Sequence, residues 1–527
     1  MALEVAWARR VSPESSLDGL DDVIHAVVDV ARNAGSRVAV QDLERRLTYG
    51  ELVSECAQVG ASMAAIGVEA GDRVVLLIPN SVDYVVAALA TLWIGAVFVP
   101  MDVQDAPRRL TSLIDDCSPT LIIVQDDGLV SSDLRVDGVR TLALRELAGR
   151  SNDMLNPVSP NDRPAYIIYT SGTTGVPKGV VIGNRAFSAA VESLAAGLPL
   201  DSSTRTLCVK PFHFDGSFAT LFPTLVCGGT VVLRPREALV FPRVFFNTVA
   251  SESITNTGMT PSYLRTLSSS PQFGQLASSS LVTLGLGGEA ISPGPLRNLW
   301  SVAPHIRVFN RYGPTETTIA VTQVEITPTM LDENVIPIGV PHPGVEFLLL
   351  DDEGAVVTEK NHSAELYIGG IQLMDGYWNS PELTHQVLGT TFVAGRRLYR
   401  TRDLVYRADN GNYVYVERTD RLVKREGARI SMAEITAALQ SHPNVDTVST
   451  LSFEKEGSLG IATFVLLRMP TEDVELRRWM QERLPSWSMP DRIEVIESLP
   501  LTKSGKTDET KLLGGVGLRP VARQSRS

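Results

Sequence analysis

At 527 residues the chain is longer than one hydrophobic core normally serves, so two or more domains are expected. Its 44% hydrophobic and 20% charged residues are those of a soluble globular protein, and the net charge of −12 argues against nucleic acid as the main partner. Four widely spaced cysteines with no C-x-x-C pair (Cys56, Cys117, Cys208, Cys227) leave no disulfide or zinc framework. They read as buried or half-buried thiols in a reducing cytoplasm. The opening MALEVAWARRVSPESS carries charges where a signal peptide needs an apolar run.

In chain order, LTYGEL (Leu47 to Leu52) starts a helix expected to reach about Ile66, and Asp72 to Ile78 predicts a strand. Tyr84 to Met101 has no charged residue, close to the ~18–20 residues that span a bilayer. Gly95 and Pro100 divide it into a helix (Tyr84 to Ile94) and a strand (Ala96 to Val99). A buried helix–strand unit fits better, and no membrane partner is expected. A helix over Arg108 to Asp115 and a strand over Leu121 to Val124 follow, and Asp126 to Asp162 reads as polar and irregular. The alternation resumes with strands at Ala165 to Ile168, Thr206 to Lys210, Thr230 to Leu233, Leu281 to Leu286 and Arg307 to Asn310. Such alternation implies parallel sheets covered on both faces. From Val345 the texture turns to short strands (Phe347 to Leu350, Glu365 to Ile368, Tyr413 to Val416), a smaller β-rich subdomain. Beyond Asp420 a compact region carries helices near Met432–Gln440 and Val474–Arg483. The closing GGVGLRPVARQSRS reads as disordered and mildly basic.

The chemistry concentrates in YTSGTTGVPKGV, Tyr169 to Val180, which lies between the Ala165 strand and a helix expected at Ala186 to Ala196. Gly172, Gly175 and Gly179 permit tight backbone geometry, Ser171, Thr173 and Thr174 supply hydroxyls, and Lys178 a mobile positive charge. Backbone N–H groups in such a loop form an anion-binding concavity, so the direct reading is a polyphosphate clamp. It is not the G-x-x-x-x-G-K-[ST] loop, because Val176 follows Gly175 and Gly179 follows Lys178. A Ser/Thr/Gly-rich surface turn is the plainer alternative.

Taken together, the motifs resemble the adenylate-forming enzymes: acyl-CoA synthetases, luciferases and the adenylation domains of nonribosomal peptide synthetases. The resemblance runs from about Leu47 to Leu512. It rests on LTYGEL, TLWIGAVFVPMD, YTSGTTGVPKGV, FDGS (Phe214 to Ser217), GGEA (Gly287 to Ala290) and NRYGPTE (Asn310 to Glu316). AELYIGGIQLMDGYWNSPELT, YRTRDL, ERTDRLVKREGARI and PLTKSGKTD (Pro500 to Asp508) complete the series in the family's order. The fold it implies is α/β, with a large N-terminal core (1–419) of two mixed or parallel αβα subdomains plus a β-barrel-like one. A small, mobile α+β C-terminal domain (420–512) and a flexible tail (513–527) would follow.

The resemblance also implies roles. A carboxylate attacks the α-phosphate of ATP, pyrophosphate leaves, and the acyl group passes from the adenylate to a thiol. ATP and Mg2+ are the expected cofactors. Thr170, Ser171, Gly172, Thr173, Thr174, Gly175 and Lys178 would hold the β- and γ-phosphates, and Thr315 the α-phosphate. Glu316 would be the magnesium ligand. Gly288, Glu289, Asn310, Arg311, Tyr312 and Gly313 would frame the nucleotide, with Asn310 and Tyr312 on adenine and Asp403, near Arg418, on the ribose. Lys506 would bridge carboxylate and α-phosphate. Asp420 would be the hinge that swaps Lys506 for the Gly427 loop between half-reactions. Two positions depart from the family: its T-G-D is Thr401-Arg402-Asp403, and its G-R-x-D is Glu417-Arg418-Thr419-Asp420. They raise a rival reading, a nucleotide-binding relative without activity.

Asp215 of FDGS stands where amino-acid-activating members hold the substrate ammonium. The other pocket positions by alignment are Gly216, Ala219, Gly258, Gly285, Gly287, Arg311, Ile319 and Ala320, small residues that suggest space. Arg311 has two readings: it faces a second carboxylate or polar group of the substrate, or it turns away into a structural ion pair. About twenty residues follow Lys506 and no condensation region precedes Leu47, which suggests a stand-alone enzyme loading a carrier protein in trans through its phosphopantetheine thiol. Asp followed by Gly in FDGS is similar to stand-alone enzymes that activate β-amino acids for polyketide antibiotics. An acyl- or aryl-CoA synthetase is the competing enzyme reading.

Overall fold

The computed structural model describes residues 22–125, 138–148, 155–158, 163–170, 177–332, 336–419, 423–425, 428–430, 432–455, 458–484, 489–502 and 505–520. They divide between two compact units. One gathers the described residues of Met1–Ile167 with Val181–Thr206 and Phe218–Leu233. The other takes those of Ile168–Val180, Leu207–Ser217 and Arg234–Ser527.

In the first unit the strands Arg73–Leu77, Val97–Pro100, Leu121–Val124 and Arg140–Ala143 pair in parallel, and Phe98 pairs with Tyr166 of the strand Pro164–Thr170. The uncharged Tyr84 stretch divides as expected: a helix, Val82–Trp93, stops just before Gly95 (φ 72°), and the strand begins at Val97. Thr48 caps the helix Tyr49–Ala65 through a reciprocal bond with Glu51, worth about 1 kcal/mol. Tyr49 is fully buried, and its hydroxyl donates to the carbonyls of Leu225 (2.9 Å) and Gly229 (2.7 Å). Phe98, Tyr166, Phe187, Phe218 and Phe222 meet edge-on or tilted at 4.8–6.4 Å between ring centres and fill the core. Among the described residues no helix is long and apolar enough to cross a membrane. Cys56, Cys117 and Cys208 are buried, Cys227 is half-buried, and all four are thiols outside any disulfide.

The second unit begins its sheet with three parallel strands, Asn256–Met259, Thr283–Gly287 and Arg307–Tyr312, and adds Thr322–Ile326 antiparallel. An antiparallel sheet follows, built on the long strand Arg396–Arg407, which pairs with Ala364–Gly370, Leu388–Val393 and Tyr413–Arg418. The last sheet, Val445–Lys455, Ser458–Leu467 and Arg492–Val495, packs Ile461 and Val465 against Ile435 and Leu439 of the helix Met432–Gln440, and against Leu476 and Met480 of the helix Asp473–Gln481.

Two expectations need correction. The stretch from Asp126 to Asp162 is not irregular throughout. Arg140–Ala143 is a strand in register with Leu121–Val124, and the helix Leu144–Ala148 buries Leu144 and Leu147. Charged neighbours hid this short apolar pattern. Nor is the tail loose from Leu513. Helix Glu509–Gly515 buries Leu512 and Leu513 against Leu451, Phe453, Ala462 and Phe464, and Glu454 N–H donates to the Arg519 carbonyl at 3.0 Å. Burial of those leucines outweighs the disorder that the glycines suggest.

Candidate active site

The described candidate residues lie in the second unit, except Ala219, which is buried in the first unit's helix Phe218–Val226. Ser171, Gly172, Thr173, Thr174 and Gly175 of the glycine-rich loop lie outside the described residues, as do Asp420 and Gly427. The loop's flanks are described. Thr170 ends one strand and Lys178 opens the next, Lys178–Gly183.

Lys178 Nζ donates to the hydroxyl of Tyr377 (2.5 Å) and to Oε1 of Glu316 (3.1 Å), and lies 4.1 Å from the centre of the Tyr377 ring. The Tyr377 hydroxyl in turn donates to Glu316 at 2.6 Å. Burial, then the Glu316 charge, pushes the Tyr377 phenol far above its ordinary value, so it stays a donor. Tyr377 is the residue of this cluster that motif reading passed over, although it stands inside the DGYW stretch. Glu316 itself is buried and follows Thr315 on a single 3-10 turn.

Tyr312 and Asp403 meet at 2.5 Å, hydroxyl to carboxylate, and Arg418 Nη1 lies 3.6 Å from the other Asp403 oxygen. A bulge makes this possible. Between the pairs Glu365–Leu404 and Tyr367–Arg400 the long strand carries extra residues, and Arg402 turns there through φ 62°. The family's glycine at this point has a backbone reason, and an arginine holds the same conformation at a cost of roughly 1–2 kcal/mol. Arg402→Gly is therefore expected to raise stability by up to about 1 kcal/mol in urea unfolding, partly offset by the freer unfolded chain. A loss of stability would mean that the guanidinium's contacts outweigh the strain. Asn310, expected on adenine, is buried and spends one amide hydrogen on the Pro337 carbonyl (2.8 Å).

Lys506 is exposed, but its segment is latched. Glu289 accepts from Ser262 (N–H 3.0 Å, Oγ 2.6 Å) with one oxygen and from the Thr507 N–H (2.9 Å) with the other. Thr260 donates to the Gly505 carbonyl at 2.9 Å. Gly288 (φ 90°) would bring a Cβ to 3.6 Å from Lys506 Cε. Glu289 thus meets the lysine's own segment, a task the motif alone does not reveal.

Asp215 starts a 3-10 turn, and Thr315 bonds its carboxylate. Its Oδ2 is buried without a hydrogen-bond partner among the described residues. Burial pushes the carboxyl up to about 6, against the opposing Thr315 hydrogen bond and Lys506 charge. The pocket's glycines are less empty than expected. A Cβ on Gly285 would fall 2.7 Å from Arg311 Cζ, one on Gly287 2.6 Å from the Arg311 carbonyl, and one on Gly216 3.3 Å from Lys210 Nζ. Their space houses protein atoms. Gly258 pairs in register with Gly285, and a Cβ on Gly313 would strike Ala320 Cα at 2.6 Å. Ile319 (φ 66°) and Ala320 are buried, held where Gln372 Nε2 donates to the Thr318 and Ala320 carbonyls (3.2 and 2.9 Å). Arg311 is buried too, and its Nε donates to the amide of Gln323 (2.9 Å).

With this geometry in hand, known proteins supply the class and then the family. The fold and its relatives are those of a ligase. The AMP-binding enzyme family matches residues 27–378 and the AMP-binding enzyme C-terminal domain residues 434–506; the chain belongs to this family of adenylate-forming enzymes. Adenylation segments of nonribosomal peptide synthetases are its homologues. It is 32% identical over 506 residues to phosphinothricin tripeptide synthetase PhsC of Streptomyces viridochromogenes, covering 93% of this chain and 45% of that one. Over 504 residues it is 31% identical to the dimodular nonribosomal peptide synthase of Bacillus subtilis, covering 90% and 21%. The chain therefore spans less than half the length of these relatives. A four-domain nonribosomal peptide synthetase bound to AMP and glycine superposes with TM-score 0.81 at 26% identity, over 96% of this chain and 37% of that one. Klebsiella oxytoca NpsA in complex with 3-hydroxyanthranilyl-AMSN superposes with TM-score 0.84 at 22% identity, over 94% and 100%, a likeness of fold.

Proposed function

We propose that the protein activates an amino acid as its aminoacyl-adenylate, releasing pyrophosphate, and passes the acyl group to the phosphopantetheine thiol of a carrier protein in trans. The observation that carries this reading is Asp215, a buried carboxylate with one oxygen unsatisfied among the described residues. A buried carboxylate oxygen without a hydrogen bond is costly, and a substrate ammonium removes that cost. An acyl- or aryl-CoA synthetase has no such need. The FDGS resemblance extends the proposal to β-amino acids.

ATP, when bound, supplies the electrophilic α-phosphorus, and magnesium would neutralise charge on its phosphates. One buried carboxylate, Glu316, suits a hard cation that keeps water and phosphate oxygens as its other ligands. Lys178 and the glycine-rich loop would bind the β- and γ-phosphates, with Thr315 at the α-phosphate. Tyr312 would stack on adenine beside Asn310, and Asp403 would accept from the ribose hydroxyls. Lys506 would bridge the attacking carboxylate and an α-phosphate oxygen, so that most of the rate comes from positioning and charge stabilisation. Rotation of a 420–512 domain about Asp420 would then remove Lys506 and admit the thiol.

Two tests follow. A pyrophosphate-exchange screen across α-amino, β-amino and plain carboxylic acids should give exchange with amino acids alone. Exchange with plain acids would favour the CoA-synthetase reading, and none at all the inactive relative. Asp215 also sets a pH limb. Its carboxyl, raised to about 6, must be ionised to hold an ammonium, so its charge is present above that pH and lost as pH falls through it. The kcat/KM for the amino acid should fall about tenfold per pH unit below 6. A flat acid limb would contradict Asp215's role.

A further inference from the structure

Lys178, Tyr377 and Glu316 close a triangle of hydrogen bonds: lysine to phenol at 2.5 Å, phenol to carboxylate at 2.6 Å and lysine to carboxylate at 3.1 Å. Both donors end on one atom, Glu316 Oε1. Glu316 and Tyr377 are buried, and Lys178 is half-buried. The backbone holds Tyr377 in place at three points. Trp378 N–H donates to the Gly179 carbonyl (2.7 Å), next to Lys178, and Met374 N–H to the Glu316 carbonyl (2.9 Å). Tyr377 N–H donates to Thr384 Oγ1 at 2.9 Å. The DGYW stretch is thus tied by its main chain to both charges that its hydroxyl touches.

The geometry points to Tyr377 as a positioning residue, the neutral bridge that keeps Lys178 and Glu316 in place while their charges turn to the nucleotide. This rests on the roles proposed above for Lys178 at the β- and γ-phosphates and Glu316 at the cation. Facing each other alone, those two charges would satisfy each other, and the pair would compete with phosphate for the lysine and with the cation for the carboxylate. The phenol alters that balance without adding charge. It has one hydrogen to give and lone pairs to accept with, and the lysine ammonium has three hydrogens. Lys178 keeps one of them on the phenol and has others to offer a phosphate. The phenol hydrogen stays on Glu316 when the lysine turns away, so the buried carboxylate is not stripped of its donors. A hydroxyl that served only its own burial would need one partner, not a cation and an anion together. The ring itself also touches the lysine, with Nζ 4.1 Å from its centre, a contact that phenylalanine would keep.

Tyr377→Phe therefore removes the hydroxyl and little else. The test is calorimetry on the full chain, without amino acid, titrated with Mg–ATP and separately with AMP, which lacks the β- and γ-phosphates. Tyr377→Phe should weaken Mg–ATP by about tenfold or more and leave AMP within about twofold of wild type. In pyrophosphate exchange the KM for ATP should rise by a similar factor, with the KM for the amino acid within about twofold. Unchanged Mg–ATP affinity overturns the role. Equal weakening of both nucleotides overturns it too, since that is what a purely structural tyrosine would give. If Tyr377→Phe fails to fold, Thr384→Val takes its place. It removes the acceptor of the Tyr377 N–H and should weaken Mg–ATP by a smaller factor, again sparing AMP; no selective loss overturns the role. Lys178→Met keeps the two readings apart. If it weakens Mg–ATP and Tyr377→Phe does not, the positioning role alone falls. If Lys178→Met leaves Mg–ATP binding unchanged, the phosphate role of Lys178 falls, and the positioning role with it.

Discussion

Lys506→Ala should lower amino-acid-dependent pyrophosphate exchange by about 100-fold or more, while thiol transfer from supplied aminoacyl-adenylate stays within a few-fold of wild type. The asymmetry follows from where the charge is needed. Adenylate formation brings an anionic carboxylate to an anionic phosphate, and an ammonium between them stabilises the transition state where that charge gathers. Thiol attack on the finished adenylate breaks a bond at carbon and needs no such bridge. The Glu289–Thr507 and Thr260–Gly505 hydrogen bonds hold the Lys506 segment, so the variant loses the charge without losing the seat. Equal losses in both half-reactions would remove Lys506 from this role.

The des-amino analogue of the native substrate should be activated at least about 1,000-fold less well than the amino acid. A site built around a hydrogen-bonded polar group rejects the analogue lacking it by orders of magnitude, since the site's own group is left buried and unmatched. Asp215 is such a group, already held above the ordinary carboxylate range by burial. Asp215→Ala should lower activity on the amino acid by a similar factor while sparing the des-amino analogue more. Activation of the analogue within a few-fold of the amino acid would transfer the protein to the acyl-CoA synthetases.

Much of this arrangement is legible in the residue order alone, and what escapes it has physical reasons. Strands such as Thr230–Leu233 and helices such as Met432–Gln440 carry their period in local apolar residues, and both lie at the expected positions. Motif order alone brings Asp403 near Arg418, and the register pairs the two. Tyr377 escapes because an aromatic in a motif is read first as packing; only its distance to Lys178 reveals the hydroxyl's work. The pocket glycines mislead for a related reason. A missing Cβ announces space, but not what fills it, and here cationic side chains fill part of it. The short strand at Arg140 depends on a parallel partner for its burial, which no local pattern announces.

The central claim, that a carboxylate oxygen attacks the α-phosphorus, is tested most directly with oxygen-18. The amino acid that best drives exchange is labelled in its carboxylate and turned over with ATP and hydroxylamine, which attacks the adenylate at carbon. Mass spectrometry of the AMP formed should find one oxygen-18 per molecule, carried over from the carboxylate. Unlabelled AMP would mean that water, not the amino acid, attacks phosphorus, and would contradict the account.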